Sequence, residues 1–256
     1  MSERHSGGAH TSRTMMLADL GAVLDACSAT ASPLQYKSAV IDDNAAAKGS
    51  LSGRQRTFRY LRELYGLDPA TPEFRAFRRL WSRDISGRPL VALILAHSRD
   101  PALAATTSAV LSATEGTVVT SQDLAAAVAA TYPDSYGDSV RDKIGRNALS
   151  SWKQAGYLSS AGQPRGVRQR IIPTPGALAM ALVIASDGDV SGQRLFSTPA
   201  VALLDQPLAR LHDLAHDASR KSLIDYRSRG QVTEIDLDAL TAGADDGRLP
   251  LEMDSQ

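Results

Sequence analysis

The sequence predicts a mainly α-helical protein organised around a winged helix-turn-helix unit. Apolar residues recur at helical spacing over most of the chain. Residues 118–173 instead combine two helical segments with a basic strand-turn-strand, which is the order of elements in a winged helix. We therefore expect a helical bundle before this unit. The elements after it, helices and then a hairpin, are consistent with a second, degenerate winged-helix unit at the C-terminus.

Composition and periodicity divide the chain into five segments. Residues 1–14 are rich in Ser, Gly and His without periodicity, which indicates a disordered leader. Residues 15–115 are expected to form the helical bundle, 116–175 the winged helix-turn-helix, and 176–240 a helical region that ends in a β-hairpin. Residues 241–256 are acidic and are expected to form a flexible tail.

The bundle is predicted from a series of apolar repeats that end near proline or glycine. These repeats cover residues 15–29, 34–47, 52–65, 73–83, 90–97 and 101–112. Ten arginines lie between Arg54 and Arg99 against fewer acids, and two interpretations of them stay open. They extend a nucleic-acid surface, or they are helix residues with exposed basic heads and buried stems.

The first helix of the winged unit is predicted over residues 121–131. Thr120 supplies an N-cap hydroxyl and Asp123 an early acid, and apolar residues follow on one helical face. A proline and a glycine then interrupt the pattern. A longer helix is expected over residues 139–155, because a glycine follows the last periodic position.

This longer helix has two faces of opposite character. At about 100 degrees per residue, the apolar side is formed by Val140, Ile144, Ala148, Leu149, Trp152 and Ala155. The opposite side carries Ser139, Lys143, Arg146, Asn147, Ser150, Lys153 and Gln154. Side chains of these polar types reach base edges and phosphates, and a helix fits the major groove of DNA. These seven residues are therefore the predicted DNA contacts of the helix.

The wing is predicted from two short segments that follow this helix. Residues 157–158 and 167–172 can pair as strands across a turn at residues 161–164. Three arginines of this arm are expected to touch the flanking DNA backbone: Arg165, Arg168 and Arg170.

The charge of the predicted winged unit supports a nucleic-acid partner. Residues 139–172 carry seven basic residues against the single acid Asp142, a net charge of +6 that the neutral chain as a whole conceals. Basic side chains that neutralise phosphates gain affinity through the release of counterions. Two alternatives stay open: a solvated amphipathic helix followed by a basic hairpin, and a winged helix used for dimerisation or protein docking.

The C-terminal third repeats the order of a winged helix with a different charge. Helical repeats are expected over residues 177–186, 199–204 and 207–221, and a hairpin over residues 223–237. Glu234, Asp236 and Asp238 make this hairpin acidic, which disfavours contact with phosphates. A protein-docking or dimerising role suits it better.

Several classes of protein are disfavoured by what the sequence lacks. The single cysteine, Cys27, excludes an intramolecular disulfide and a cysteine-based zinc cluster, which favours a reducing compartment such as the cytoplasm. No apolar run approaches the roughly 18 residues needed to span a bilayer. No catalytic set, phosphate-binding loop or metal-ligand cluster stands out, so we expect no enzyme, no cofactor and no metal.

Two sets of short motifs resemble those of a known family. The first set is Asp43-Asn44, Lys48-Gly49-Ser50, Arg62-Glu63-Leu64 and Arg78-Arg79-Leu80-Trp81. The second set is Arg141-Asp142-Lys143-Ile144, Leu149, Gln154-Ala155-Gly156-Tyr157-Leu158 and Ile171-Ile172-Pro173. Their order over residues 15–173 resembles the BrxA family of bacteriophage-exclusion (BREX) defence systems.

This resemblance implies a non-enzymatic DNA-binding component of an anti-phage operon. Its expected partners are double-stranded DNA and, through the C-terminal third, other proteins of the defence system. A docking or adaptor component of a multi-subunit complex and a transcriptional regulator are the alternative functions.

Overall fold

The computed structural model of the protein describes residues 7–159, 165–188, 190–229 and 232–243. Its helical content is 59%, so the prediction of a mainly α protein is confirmed. The α-helices in these ranges are α1 Leu17–Ala26, α2 Pro33–Ile41, α3 Leu51–Tyr65, α4 Pro72–Arg83, α5 Arg88–Arg99, α6 Pro101–Ala104, α7 Thr107–Leu111, α8 Ser121–Thr131, α9 Asp138–Gln154, α10 Pro175–Ala185, α11 Pro199–Ala202, α12 Leu208–Arg220 and α13 Asp238–Thr241. The strands are β1 Val118–Thr120, β2 Arg165–Val167, β3 Asp225–Arg229 and β4 Val232–Asp236, and two 3-10 helices span Ala9–Thr11 and Gly192–Ser197.

Helix α8 begins where its local sequence predicts. The Thr120 hydroxyl accepts a hydrogen bond from the Asp123 backbone N–H at 3.2 Å, and the Asp123 carboxylate accepts one from the Thr120 backbone N–H at 2.8 Å. This reciprocal pair satisfies two groups that have no partner within a helix. The bounds of α8 and α9 lie within one residue of those predicted.

The centre of the core is formed by two apolar helices, α5 and α10, which pack against each other. Residues 90–96 of α5 and 176–183 of α10 are all buried. Helices α3 and α4 cover α5, and α11 and α12 cover α10. One hydrophobic cluster runs from Ala9 to Leu240, so the C-terminal third shares its core with the N-terminal bundle. The segment boundaries drawn from the sequence therefore do not coincide with separate cores.

Two small antiparallel sheets complete the fold. Strand β1 pairs with β2, with Val118 opposite Val167. On the other side of this sheet Leu158 pairs with Arg168, within the segments predicted to pair, but the strand is Arg165–Val167 and not the predicted 167–172. The predicted turn at 161–164 lies outside the described residues. The sequence did not predict β1. Strands β3 and β4 form the hairpin predicted near the C-terminus.

The N-terminal segment differs from the predicted leader. Residues 7–14 are packed against the rest of the protein, and Ala9 and His10 are completely buried. The disordered leader was therefore a wrong prediction for these residues, because His10 finds polar partners far along the chain. Residues 1–6 of the predicted leader and 244–256 of the predicted tail lie outside the described residues.

Candidate nucleic-acid interface

Helix α9 is fixed in place by its apolar side. Gly145 allows α9 to approach α8 closely, since a Cβ atom there would lie 2.2 Å from the Ser121 carbonyl oxygen. Trp152 is fully buried and donates a hydrogen bond from Nε1 to Thr106 Oγ1 at 2.8 Å. Its ring also meets Tyr157 edge-on, with 4.8 Å between ring centroids. These contacts leave the opposite side of α9 facing outward.

The outward side of α9 contains most of the predicted DNA contacts. Three of them are exposed and two are half-buried: Ser139, Lys143, Arg146, Ser150 and Lys153. Among the described residues, no carboxylate forms an ion pair with Lys143 or Arg146. Asp142 is also exposed, at the edge of this side.

Two predicted contacts on α9 hold the N-terminal segment. Asn147 donates a hydrogen bond from Nδ2 to the His10 carbonyl oxygen at 2.8 Å. The side-chain oxygen of Gln154 accepts one from the Leu17 backbone N–H at 3.3 Å, and its amide nitrogen donates to Ser150 Oγ at 3.2 Å. The prediction that Asn147 and Gln154 are free to contact the DNA groove is therefore corrected, because both side chains already bind the N-terminal segment.

The predicted wing arginines do not all lie on the surface. Arg165 and Arg170 are exposed, whereas Arg168 is only 2% exposed. The Arg168 guanidinium pairs with the Asp205 carboxylate at 2.5 Å and lies 5.5 Å from the centroid of the Tyr157 ring. A buried charge needs such a partner. Arg168 is therefore a structural link between the hairpin and the C-terminal third, and the expectation that it touches DNA is corrected.

The arginines of the helical bundle divide by helix. Three of those on α4 donate to main-chain carbonyls at the ends of later helices, Arg75 to Thr241 at 2.7 Å, Arg79 to Ala242 at 2.8 Å and Arg83 to Lys221 at 2.8 Å, and the fourth, Arg78, donates to carbonyls at the end of α1. Three arginines of α3 are instead exposed: Arg56, Arg59 and Arg62. The guanidinium groups of α4 are therefore engaged within the protein, which neither interpretation predicted, and a basic surface is present on α3.

A cleft of about 530 Å³ joins α3 to α9. Its lining includes Arg13, Lys48 and Thr57 together with Asn147 and Gln154. Lys48 pairs with Asp19 at 2.8 Å. The cleft therefore places basic residues of the N-terminal half next to the polar side of α9.

A buried hydrogen-bonded chain joins the N-terminal segment to α9, and no motif in the sequence predicted it. His10 Nδ1 is 2.8 Å from Asp100 Oδ2, and His10 Nε2 is 2.8 Å from Ser151 Oγ. The order resembles a Ser-His-Asp set, but the exposed fractions are 0% for His10, 1% for Asp100 and 0% for Ser151. The Ser151 hydroxyl also accepts a hydrogen bond from the Met15 backbone N–H at 2.8 Å. This chain is therefore an internal link that presents no reacting atom to a substrate.

Comparisons with known proteins do not assign this protein to a class. No family model matches the sequence, and no curated protein or solved structure is significantly similar to it. Within residues 7–243, apart from the undescribed gaps, no helix is long and apolar enough to cross a membrane. The same residues contain no group of three or more His, Cys, Asp or Glu side chains placed to hold a metal ion.

Proposed function

We propose that the protein is a winged helix-turn-helix protein that binds double-stranded DNA through α9 and the adjoining hairpin. The observation that carries this proposal is the outward, basic side of α9, on which Lys143 and Arg146 are exposed without an ion-pair partner among the described residues. The order helix α7, strand β1, helices α8 and α9, and a hairpin supports it, because this is the order of a winged helix. Arg165 and Arg170 extend the basic surface beside α9.

The physical basis of this binding is the fit of α9 to a major groove. A helix enters the groove, and its Arg and Lys side chains reach phosphates and base edges. If Lys143, Arg146, Arg165 and Arg170 each neutralise one phosphate, the logarithm of the affinity falls with the logarithm of the salt concentration with a slope of roughly −3 to −4. The resemblance to the BrxA family extends the proposal to a component of a BREX-like phage-defence system.

The first experiment measures binding of a labelled duplex across a salt titration. Lys143→Glu with Arg146→Glu is expected to abolish binding, because it removes two phosphate contacts and adds two repulsive charges. The matched control is Lys221→Glu with Arg229→Glu, which makes the same change of charge on exposed residues of the C-terminal third. Equal binding by the wild type and the α9 variant would contradict the proposal.

A second candidate function is protein docking through the β3–β4 hairpin. Glu234, Asp236 and Asp238 are exposed on and just after this hairpin, and they disfavour contact with DNA. In a defence complex this surface binds a basic partner protein, while α9 binds DNA. Glu234→Lys with Asp236→Lys then disrupts assembly and leaves duplex binding intact. A transcriptional regulator, the remaining alternative, would in addition prefer one operator sequence over random duplex.

A further inference from the structure

The described N-terminal residues 7–17 form a strap that lies along α9, and we call them the N-terminal strap. Three side chains of α9 bind it at successive turns. Asn147 donates to the carbonyl of His10, Ser151 accepts from the N–H of Met15, and Gln154 accepts from the N–H of Leu17. The strap is therefore aligned with the helix over about two turns.

The strap is anchored by His10. Its backbone N–H and its ring Nδ1 both bind Asp100 Oδ2, at 2.9 and 2.8 Å, and its Nε2 binds Ser151 Oγ. Burial alone raises the pKa of Asp100, but the hydrogen bonds from His10 and the backbone outweigh it and hold the pKa below its usual range. Asp100 thus stays a carboxylate, and His10 connects α6 to α9 through the strap.

This anchor places Arg13 at the Tyr60 ring, which an arginine of α3 also faces. The Arg13 guanidinium lies 5.5 Å from the centroid of the Tyr60 ring, and the Arg59 guanidinium lies 4.5 Å from it. Arg59 also donates a hydrogen bond to the Tyr60 hydroxyl at 2.6 Å. A hydrogen bond with Ser12, together with the bond and charge of Arg59 and the charge of Arg13, lowers the pKa of Tyr60.

The two guanidinium groups have no bound counter-charge in the part of the chain that is described. Neither Arg13 nor Arg59 has a carboxylate oxygen within 4.0 Å there. Lys48, which lines the same cleft, differs because it pairs with Asp19. Glu63 lies near enough for the charge of Arg59 to act on its carboxyl group, but the two form no ion pair within 4.0 Å. Two guanidinium groups that face the same aromatic ring and have no ion-pair partner are suited to bind an anion with several oxygens.

We propose that Arg13 and Arg59 together bind a backbone phosphate of the nucleic acid that occupies α9, and that His10 is the positioning residue that holds Arg13 there. This inference rests on the proposed DNA-binding function. The cleft lined by Arg13, Asn147 and Gln154 places Arg13 beside α9, and Arg59 faces the same Tyr60 ring as Arg13. A phosphodiester is the ligand class because its oxygens accept from both guanidinium groups.

The first test compares the salt dependence of duplex binding between the wild type and Arg13→Ala with Arg59→Ala. Loss of the phosphate contact is expected to weaken binding and to reduce the steepness of the slope by about 0.9 for each phosphate released. Lys37→Ala, a change to an exposed cation on α2, is the matched control and is expected to leave the slope unchanged. An unchanged slope in the arginine variant would overturn the inference.

The second test asks whether His10 acts through Arg13. His10→Gln is expected to reduce the slope as Arg13→Ala does, and the double variant is expected to show no further loss. Additive losses, or a His10→Gln variant that melts at a lower temperature but keeps the wild-type slope, would give His10 a purely structural role and overturn its assignment as a positioning residue. If His10→Gln fails to fold, Ser151→Ala removes the other end of the same link and answers the question.

The failure of this inference is distinguishable from that of the proposed function. Binding that is lost in the Lys143→Glu, Arg146→Glu variant but unchanged in the Arg13→Ala, Arg59→Ala variant overturns the strap proposal alone. The reverse result overturns the assignment of α9 as the DNA-binding helix, and shows phosphate binding by the arginine pair at a site that does not involve α9. A wild-type protein that binds no duplex at low salt overturns both.

Discussion

Buried ionisable side chains in this protein are held by partners from distant parts of the sequence. Asp100 binds His10, and Arg168 pairs with Asp205. Because an isolated charge is costly to bury, removal of one partner leaves the other uncompensated. These side chains therefore determine where the N-terminal strap and the hairpin sit, and they are not available to an external ligand.

His97 is predicted to make stability depend on pH. Burial lowers the pKa of His97 to about 4, and its Nε2 lies 2.7 Å from Thr107 Oγ1. Below about pH 6.5 the unfolded chain takes up a proton that the folded protein excludes, so stability falls with pH until about pH 4 and then levels off. The loss at pH 5 is expected to be about 2 kcal/mol relative to pH 7.

Urea unfolding of the wild type and of His97→Gln at both pH values measures this loss. Glutamine keeps an amide that can bond to Thr107 but does not titrate, so the variant is expected to lose about 2 kcal/mol less between pH 7 and pH 5. The exposed His216 offers the matched control, His216→Gln, which should behave as the wild type does. The same pH dependence in all three proteins would show that His97 does not contribute.

Only those features of the candidate interface that follow from helical periodicity could be predicted from the sequence. The alternation of polar and apolar residues identified the outward position of Lys143 and Arg146, because a helix fixes which residues share a side. It could not show that Asn147 binds His10 or that Arg168 binds Asp205, since these partners are 137 and 37 positions away in sequence. Which polar residues are engaged is a property of the tertiary structure.

At the scale of elements, the contact between α8 and α9 depends on a close approach at Gly145. An added Cβ would lie 2.2 Å from the Ser121 carbonyl oxygen and 3.2 Å from the Ala125 backbone nitrogen. Gly145→Ala is therefore expected to destabilise the protein by roughly 1–3 kcal/mol, because the clash with backbone exceeds the gain of about 1 kcal/mol in helix propensity. Urea unfolding monitored by circular dichroism measures the change.

A second helical glycine provides the control for this prediction. At Gly21 in α1 a Cβ would meet only the Trp81 ring, at an ordinary 3.6 Å. Gly21→Ala is expected to stabilise the protein by about 0.5–1 kcal/mol through helix propensity alone. If Gly145→Ala proved as stable as Gly21→Ala, α8 and α9 would not be packed as closely as described.

Local sequence predicted helices α8 and α9 but not the short strand β1. Helices α8 and α9 follow from caps, apolar spacing and terminal glycine, all of which act within a few residues. Strand β1 is only three residues long, and its pairing with β2 joins Val118 to Val167 across two helices. No local pattern marks so short a strand, because its stability comes from the partner and not from its own sequence.

At the scale of the whole molecule, the N-terminal bundle and the C-terminal third share one hydrophobic core. Sequence periodicity located the apolar helices α5 and α10 but could not show that they pack together, since each is apolar on all sides. This shared core places the C-terminal helices against α4, where Arg83 and Arg79 bind the carbonyl groups at the ends of α12 and α13. The C-terminal third thus contributes to the stability of the whole fold, independently of what the β3–β4 hairpin binds.

A substitution in α10 is therefore expected to affect both halves of the chain. Leu178 is fully buried, and Leu178→Ala should cost about 2–5 kcal/mol through lost burial and the cavity left behind. Leu34→Ala, at a residue that is 72% exposed, is the control and should cost little. Amide hydrogen exchange measures where stability is lost, and exchange is expected to accelerate by a similar factor in α5 and α12, because both close the same core. Faster exchange confined to the helices after α10 would mean that the C-terminal third unfolds on its own, and that the packing of α5 against α10 does not couple the two halves.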